Sequence, residues 1–372
     1  MSVVTQYTVL KILLLLIFII SGYGISRGSR QHYWYYSLPA IVSYTIIQGL
    51  RYARGVDYLS YKFSYEHFDR ESRGTVFKLI NQFLNDVIGL PYYGAFMFYG
   101  FLLILAVILI FRRYRKIALF ALPIFLITTI LQSENLIRQF LAVAFIYLSF
   151  YELMGDRWKT SLVYFILGYL IHASCLILLP FFVLFHYVKI PKFSPWWLIG
   201  AYLLIVIFWK ISYWGNATTY LNALNLDGQF SSYTQDAERW FTAEGSLSAR
   251  QERNSTISMI AIVRESLMNC IIIYFGYKLI RSYPKLQLPF FLYYLSVILL
   301  QMAFDIEAIV RIGRWFYIFE MFIAGFVLTY TPRKNNYIRY ALIFICINYT
   351  YDFISHFLTD LQPYQCGFIW NQ

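Results

Sequence analysis

Stretches of about twenty mostly apolar residues recur along this chain, and no other feature limits its fold as strongly. A bilayer core of about 30 Å takes about 17–25 helical residues to cross. In lipid a helix satisfies its own backbone hydrogen bonds, and runs this long are not barrel strands. Spans are expected near 7–25, 33–50, 92–111, 117–132, 136–154, 160–172, 174–188, 195–213, 257–280, 287–304, 312–330 and 338–357. The expected fold is all-α: a polytopic transmembrane helical bundle of about 12 spans (about 10–13), forming one domain over 1–372.

Composition removes the competing classes. The chain is 59% apolar and 13% charged, against roughly 45–50% and about 25% in soluble domains. That excludes a soluble enzyme, a disordered tail and a secreted disulfide scaffold. The net charge of +12 lacks the single polar face that nucleic-acid binding needs, so no nucleic acid is expected as a partner. The four cysteines (175, 270, 346 and 366) have no paired spacing for disulfides or zinc. The first apolar run, Leu10 to Ile20, has neither a basic lead nor a small-residue cleavage site, and reads as a retained helix.

Positive charge orients the spans. One alternating set of connections holds Arg27, Arg30, Arg112, Arg113, Arg115, Lys116, Arg157, Lys159, Lys189, Lys192, Lys278, Arg281, Lys285, Arg333, Lys334 and Arg339, with only Glu152 and Asp156 as acids. The opposite set carries cations and acids in near balance. The first set is therefore cytoplasmic and both termini face outward. Two outward segments, 51–91 and 214–256, are longer than connectors need. The first includes an amphipathic stretch, Val76 to Ile88, with Phe77, Ile80, Phe83, Leu84, Val87 and Ile88 expected on one face, suited to the membrane surface or to half-insertion. The second is polar and suits either a lid or an inert solvated loop.

The residues least compatible with lipid cluster on the outward side. They are Arg51-Tyr52-Ala53-Arg54-Gly55-Val56-Asp57-Tyr58; Ser133-Glu134-Asn135-Leu136-Ile137-Arg138-Gln139; His172-Ala173-Ser174; and Asp305, Glu307, Arg311 and Arg314. A guanidinium near the hydrocarbon boundary is costly and tends to face the bundle interior with an anionic partner. Arg51 with Arg54, and Arg311 with Arg314, share a face if helical. Arg138 falls in the first turn of a helix, where free N–H groups already favour an anion. Five arginines from three helix ends could grip a diphosphate through forked bonds.

Each group also has a simpler use. Glu134 with Arg138, and Glu307 with Arg311, have the i, i+4 spacing of helix-end ion pairs. His172 suits a hydrogen-bonded end of a helix, Arg51 and Arg54 suit headgroup anchoring, and Asp57 suits a turn after Gly55. Bands such as Tyr33-Trp34-Tyr35-Tyr36 and Trp196-Trp197 are interfacial belts. Tyr52, Tyr58, Tyr61 and Tyr65 could stack on sugar rings. The Asn-X-Ser/Thr matches at Asn216, Asn254 and Asn348 are read as chance.

Four of these stretches carry a resemblance. Arg51-Tyr-Ala-Arg-Gly-Val-Asp-Tyr58 resembles the first outer loop of the EpsG-type, Wzy-like polysaccharide polymerases, with its Arg followed by Gly-(Val/Thr)-Asp-Tyr. Asn135-Leu-Ile-Arg-Gln-Phe-Leu-Ala-Val-Ala144 is similar to that family's Arg-Gln-x-x-Ala helix start. Leu170-Ile-His-Ala-Ser-Cys-Leu-Ile-Leu-Leu-Pro180 is similar to its His-x-Ser segment. Arg311-x-x-Arg314-x-x-Tyr317 resembles its late arginine motif. The order and common side of the four extend the match across 40–330. Arg54 stands where many members have small residues.

The resemblance implies a GT-C-like polymerase of bacterial O-antigen, capsule or exopolysaccharide in the inner membrane, acting on its periplasmic side. Its substrate would be an oligosaccharide on undecaprenyl pyrophosphate. The growing chain would pass to the non-reducing end of a fresh repeat unit, with inversion, without metal and without a cofactor. A flippase and a chain-length regulator of the same pathway are implied partners beside membrane lipid. Arg51, Arg54, Arg138, Arg311 and Arg314 would hold the pyrophosphate, with Asp57, then Glu134, or His172 as the base and Tyr52, Tyr58 and Tyr61 against sugar. The rival readings are a metal-dependent polyprenyl-phosphate-sugar glycosyltransferase, a membrane O-acyltransferase using His172, and a lipid-linked oligosaccharide flippase. Only Lys11 and Lys210 break the apolar pattern in mid-span.

Overall fold

A computed structural model of the protein describes residues 3–55, 57–67, 74–188, 194–208, 259–302, 307–359 and 367–371. The outward segment 214–256 and Asp305 lie outside the described residues. The chain divides into two compact units: Met1–Leu176 with Ala324–Tyr330 and Tyr349–Gln372, and Ile177–Ile323 with Thr331–Asn348.

The first unit is built on α1 (Val3–Arg27), α2 (Tyr33–Leu50), α3 (Tyr58–His67), α4 (Thr75–Gln82), α5 (Tyr92–Arg113), α6 (Ala118–Asn135), α7 (Ile137–Leu153) and α8 (Trp158–Ile171). Tyr7, Lys11, Leu14, Phe18, Ser21 and Ile25 of α1 recur at alternating four- and three-residue steps and are all buried. That spacing is one face of a helix, and here it packs on α2 and α6. Ile12, Leu13, Leu16, Ile19 and Ile20 occupy the opposite face and stay exposed, as apolar residues do where lipid is the solvent. Tyr44 of α2 sits between Phe18 and Phe125, with ring centroids 6.1 and 5.9 Å away. Arg115 donates through Nε to the carbonyl of Ile25 at 3.1 Å, tying the basic turn before α6 to the end of α1.

One strand pairing occurs among the described residues. Arg51–Tyr52 pairs antiparallel with Gly367–Phe368. Phe368 stacks on Tyr7 at 5.1 Å and on Trp370 at 4.6 Å, so a C-terminal segment closes over the start of the first outward segment.

The second unit contains α9 (Leu179–Tyr187), α10 (Pro195–Phe208), α11 (Met259–Ile280), α12 (Gln287–Met302), α13 (Glu307–Tyr317) and the starts of α14 (Glu320–Tyr330) and α15 (Asn336–Thr359). Asn269 is buried on α11. It donates to the Tyr202 hydroxyl of α10 at 3.0 Å and accepts from the Tyr293 hydroxyl of α12 at 2.8 Å. One side-chain amide thus ties three helices. Phe185 stacks on Phe291 at 5.1 Å, and Gln287 donates to the carbonyls of Phe185 and Val188 at the end of α9.

These apolar helices are those of a membrane-embedded helical protein. Thr5–Arg27, Tyr92–Arg113, Arg115–Asn135 and Arg311–Tyr330 are long and apolar enough to cross a bilayer, and Trp158–Ile171, Ala173–Tyr187 and Pro195–Ile207 are apolar but shorter. Three expectations change in detail. The stretch 174–188 opens as a 3₁₀ turn, Ala173–Leu178, and becomes α-helical only at Leu179, with Pro180 in the first turn where its missing N–H costs nothing. The stretch 312–330 is broken at Ile318–Phe319, after which Glu320 opens α14 with its carboxylate at the positive helix end. The apolar residues of 76–88 divide: Phe77 and Leu84 are buried, whereas Phe83, Val87 and Ile88 are exposed together with Leu79.

Replacing Asn269 with Leu leaves two buried tyrosine hydroxyls without this partner. The expected loss is about 1–2 kcal/mol, read as a lower midpoint of thermal unfolding in detergent. An unchanged midpoint would show that the amide bridge does not hold the unit together.

Candidate active site

The site begins where α2 stops. Arg51 is extended, with φ −66° and ψ 146°, because its strand pairing with Phe368 takes the chain out of the helix. The segment is not helical here, so the condition under which Arg51 and Arg54 would share a face is not met. Between them Ala53 holds φ +52°, a left-handed conformation costing about 1–3 kcal/mol outside glycine. Gly55 holds φ +97°, and a Cβ there would stand 2.9 Å from the Cα of Asn135 and 3.0 Å from the carbonyl of Glu134. Only glycine lets the turn lie this close to the end of α6.

That closeness makes an ionic cluster. The Glu134 carboxylate is 1% exposed. Oε1 accepts from Lys11 Nζ, and Oε2 lies 2.5 Å from Arg54 Nε. Arg54 and Lys11 also lie over the Tyr7 ring, at 4.3 and 5.3 Å. Arg51 is buried in a cage of oxygens. Its Nη1 donates to the Glu134 carbonyl at 2.7 Å and the Arg54 carbonyl at 3.0 Å, and its Nε donates to the carbonyl and Oε1 of Gln48 at 3.2 Å. Nη2 makes no hydrogen bond among the described residues. Arg51 also lines a small crevice, with Tyr44, Gln48, Tyr99 and Ser133 as its other polar walls.

Tyr58, expected to offer its ring to sugar, is fully buried and lies 5.1 Å from the Arg51 guanidinium. Its hydroxyl donates to the Arg51 carbonyl at 2.8 Å. Burial raises its pKa well above the usual tyrosine value, so the donor stays protonated. Tyr58 supports Arg51. Tyr52 packs edge-on to Tyr58 at 5.8 Å and lies under Lys62 at 5.4 Å, and Tyr61 meets Phe77 edge-on at 6.1 Å.

The Asp57 backbone N–H donates to Asn135 Oδ1 at 3.0 Å. Its carboxylate has no hydrogen-bond or ion-pair partner among the described residues and is only half-buried. Glu134, the second choice as base, is instead enclosed as the counter-ion of Lys11 and Arg54. Its expected i, i+4 partner, Arg138, is not paired with it. Arg138 opens α7 with Nε buried and without a hydrogen-bond partner among the described residues. A carbon added to Gly74 would lie 3.5 Å from Arg138 Nη1 and 4.0 Å from the Ile171 carbonyl. Next to Ile171, His172 caps α8, and its Nδ1 is 2.8 Å from the Ser174 hydroxyl.

Arg311 and Arg314 stand on one face of α13 in the second unit, both half-buried. The Glu307 side chain lies outside the description. Among the described residues no three His, Cys, Asp or Glu side chains are grouped as a metal site.

Sequence reasoning missed Lys11 as a member of this cluster and gave no role to Asn135, Gln48 or Phe368. The signal for Lys11 was present: it falls on the buried stripe of α1, where a charge requires a partner. Glu134→Gln strips the counter-ion from two buried cations, whereas Lys11→Met leaves Glu134 with Arg54. Breaking a buried pair costs about 3–5 kcal/mol. Glu134→Gln should lower the unfolding midpoint in detergent clearly more than Lys11→Met; equal or reversed losses would contradict this cluster.

Comparison with known proteins bears on what these arginines serve. The EpsG family model matches residues 34–366, nearly the whole chain. Neither a curated protein nor a solved structure matches it. The match takes in Arg51, Arg54, Arg138, His172, Arg311 and Arg314. The chain belongs to the EpsG family and is a membrane protein of polysaccharide-polymerase type.

Proposed function

We propose that this protein is a polysaccharide polymerase of the bacterial inner membrane, with about 12 spans in a GT-C-like arrangement and its active site on the periplasmic side. It transfers a growing glycan from undecaprenyl pyrophosphate to the non-reducing end of another lipid-linked repeat unit. The product would be an O-antigen, a capsule or an exopolysaccharide. The observation that carries this reading is the state of Arg138. Its Nε is buried without a hydrogen-bond partner among the described residues, and Glu134 one turn earlier is taken by Lys11 and Arg54.

In the reaction the anomeric C–O bond to pyrophosphate breaks as the acceptor hydroxyl oxygen bonds to the same carbon from the opposite face. The hydroxyl proton goes to a base. Asp57 suits that role best, because its carboxylate is half-open and unpartnered among the described residues, while Glu134 is enclosed. The electron pair leaves with the pyrophosphate, whose growing charge Arg138 stabilises without reorganisation. Arg51 and Arg54 join Arg138 in this proposal, and Arg311 and Arg314 of the second unit are assigned to pyrophosphate by the resemblance of their motif alone. His172 either donates to a pyrophosphate oxygen or takes the proton. Tyr52 and Tyr61 offer ring surface to sugar.

The cluster also weakens the flippase alternative. Lys11, one of the two cations that stood out in mid-span, is matched by Glu134 and is not free to line a transport cavity; the other, Lys210, lies outside the described residues. A metal-dependent glycosyltransferase would lose activity on chelation, so retention of activity in EDTA separates it from the proposed mechanism.

Arg138→Ala should abolish polymer in cells while membrane levels of the protein hold. The loss in turnover should be about 10²–10³-fold or more, the size associated with one lost transition-state donor. Arg138→Lys should fall between, because a point charge lacks the forked geometry. Normal chain ladders from Arg138→Ala would overturn the clamp.

A further inference from the structure

The turn of helix that follows Gly74 has three sides, and each matches a different solvent. α4 continues from Gln82 into a π-helical turn, Phe83–Val87. One side is buried in the protein: Phe77 meets Tyr61 of α3 and Tyr99 of α5, Asn81 accepts from the Tyr99 hydroxyl, and Leu84 is buried. A second side, at four-residue steps, is Leu79, Phe83 and Val87, each more than half exposed, with Ile88 beyond them. The third is polar: Thr75 and Asp86 are exposed, and Lys78 and Gln82 partly so. A helix in bulk water has no use for the second side, and one crossing a membrane has no place for the third.

The depth of the helix is fixed by its neighbours. Its start lies beside Ile171, the last residue of α8. Its middle packs on Tyr99, seven residues inside the Tyr92 end of α5. At 1.5 Å per residue that is about 10 Å below that end of the span, and α5 itself is about 33 Å long, the thickness of a bilayer core. The helix therefore runs across two spans about two turns inside the end of one of them. The helices it packs beside are open on apolar side chains too: α8 exposes Leu162, Val163, Ile166 and Leu170, and Tyr93 and Phe98 of α5 are also open.

We propose that 75–88 is an interfacial helix lying in the plane of one phospholipid leaflet, the one at the Tyr92 end of α5. Leu79, Phe83, Val87 and Ile88 sit among acyl chains, and Lys78, Gln82 and Asp86 face the headgroup water. Helices of this kind settle about 5–10 Å into the headgroup–acyl boundary, which matches the depth given by Tyr99. One consequence follows, and it alone rests on the polymerase reading. Because Gly74 adjoins Arg138, that guanidinium stands near headgroup depth, and a lipid-linked pyrophosphate reaches it without its polyprenyl chain leaving the leaflet.

The test reads position, not activity, so its failure is separable from failure of the polymerase reading. Single cysteines replace Lys78, Leu79, Gln82, Phe83, Asp86 and Val87 in a background whose four native cysteines are removed. Each carries an environment-sensitive fluorophore in full-length protein reconstituted into phosphatidylcholine vesicles. Labels at 79, 83 and 87 should be quenched several-fold more by bromine-labelled acyl chains than those at 78, 82 and 86, with aqueous iodide giving the reverse order. Iodide reaching all six alike, or neither quencher reaching 79, 83 and 87, would overturn the placement. The unsubstituted protein supplies a second measurement. A phospholipid carrying a photoreactive group on its acyl chain should form adducts within 79–88, and adducts confined to the long spans would also overturn it.

Discussion

A single carboxylate organises the first unit. Glu134 closes α6 and draws Lys11 from the middle of α1 and Arg54 from the turn after α2, while its own carbonyl takes a bond from Arg51. A buried ion pair adds little net stability relative to apolar packing, but losing one partner is costly. Its value lies in specification. With three cations around one anion, each helix end has one arrangement in which its charge is met. Gly55 allows the approach, Ala53 takes up the strain, and Phe368 closes the edge left by Arg51 and Tyr52.

This arrangement separates cations with different work. Arg51 and Arg54 are held by the protein, one by carbonyls and one by Glu134, so they give a fixed positive wall. Arg138, in the first turn of α7, is left without such a partner among the described residues. In the proposed polymerase site the first two would supply charges that do not move, and Arg138 one whose geometry is still open. Asp57 stands at the edge of the same turn, aligned through its backbone by Asn135, with a carboxylate that has no partner among the described residues.

Much of the fold was legible because lipid imposes length. Helices α1, α2, α5 and α12 begin and end within a few residues of the expected spans, since apolar runs mark their limits and a basic residue marks one end of each. Breaks were harder: Ile318–Phe319 is apolar, and the one local mark of a new helix start is Glu320 inside an otherwise apolar run. The arginine segments were legible by type and side, but their partners were not. Glu134 and Arg138 have good i, i+4 spacing, yet the tertiary approach of Lys11 and Arg54 outcompetes it. Tyr58 looked like a sugar platform because tyrosine does both jobs; burial under Arg51 decides for packing. For 76–88, periodicity revealed an apolar face but not that a neighbouring helix would cover only part of it.

The central claim is that these arginines serve the breaking of a lipid-pyrophosphate bond. The most direct measurement combines purified, reconstituted protein with a synthetic repeat unit on undecaprenyl pyrophosphate as the sole substrate, in EDTA. A ladder of longer glycans, with one undecaprenyl pyrophosphate released per new glycosidic bond, is predicted. Transbilayer movement of the substrate without new bonds, or a ladder that requires added divalent metal, would contradict the account.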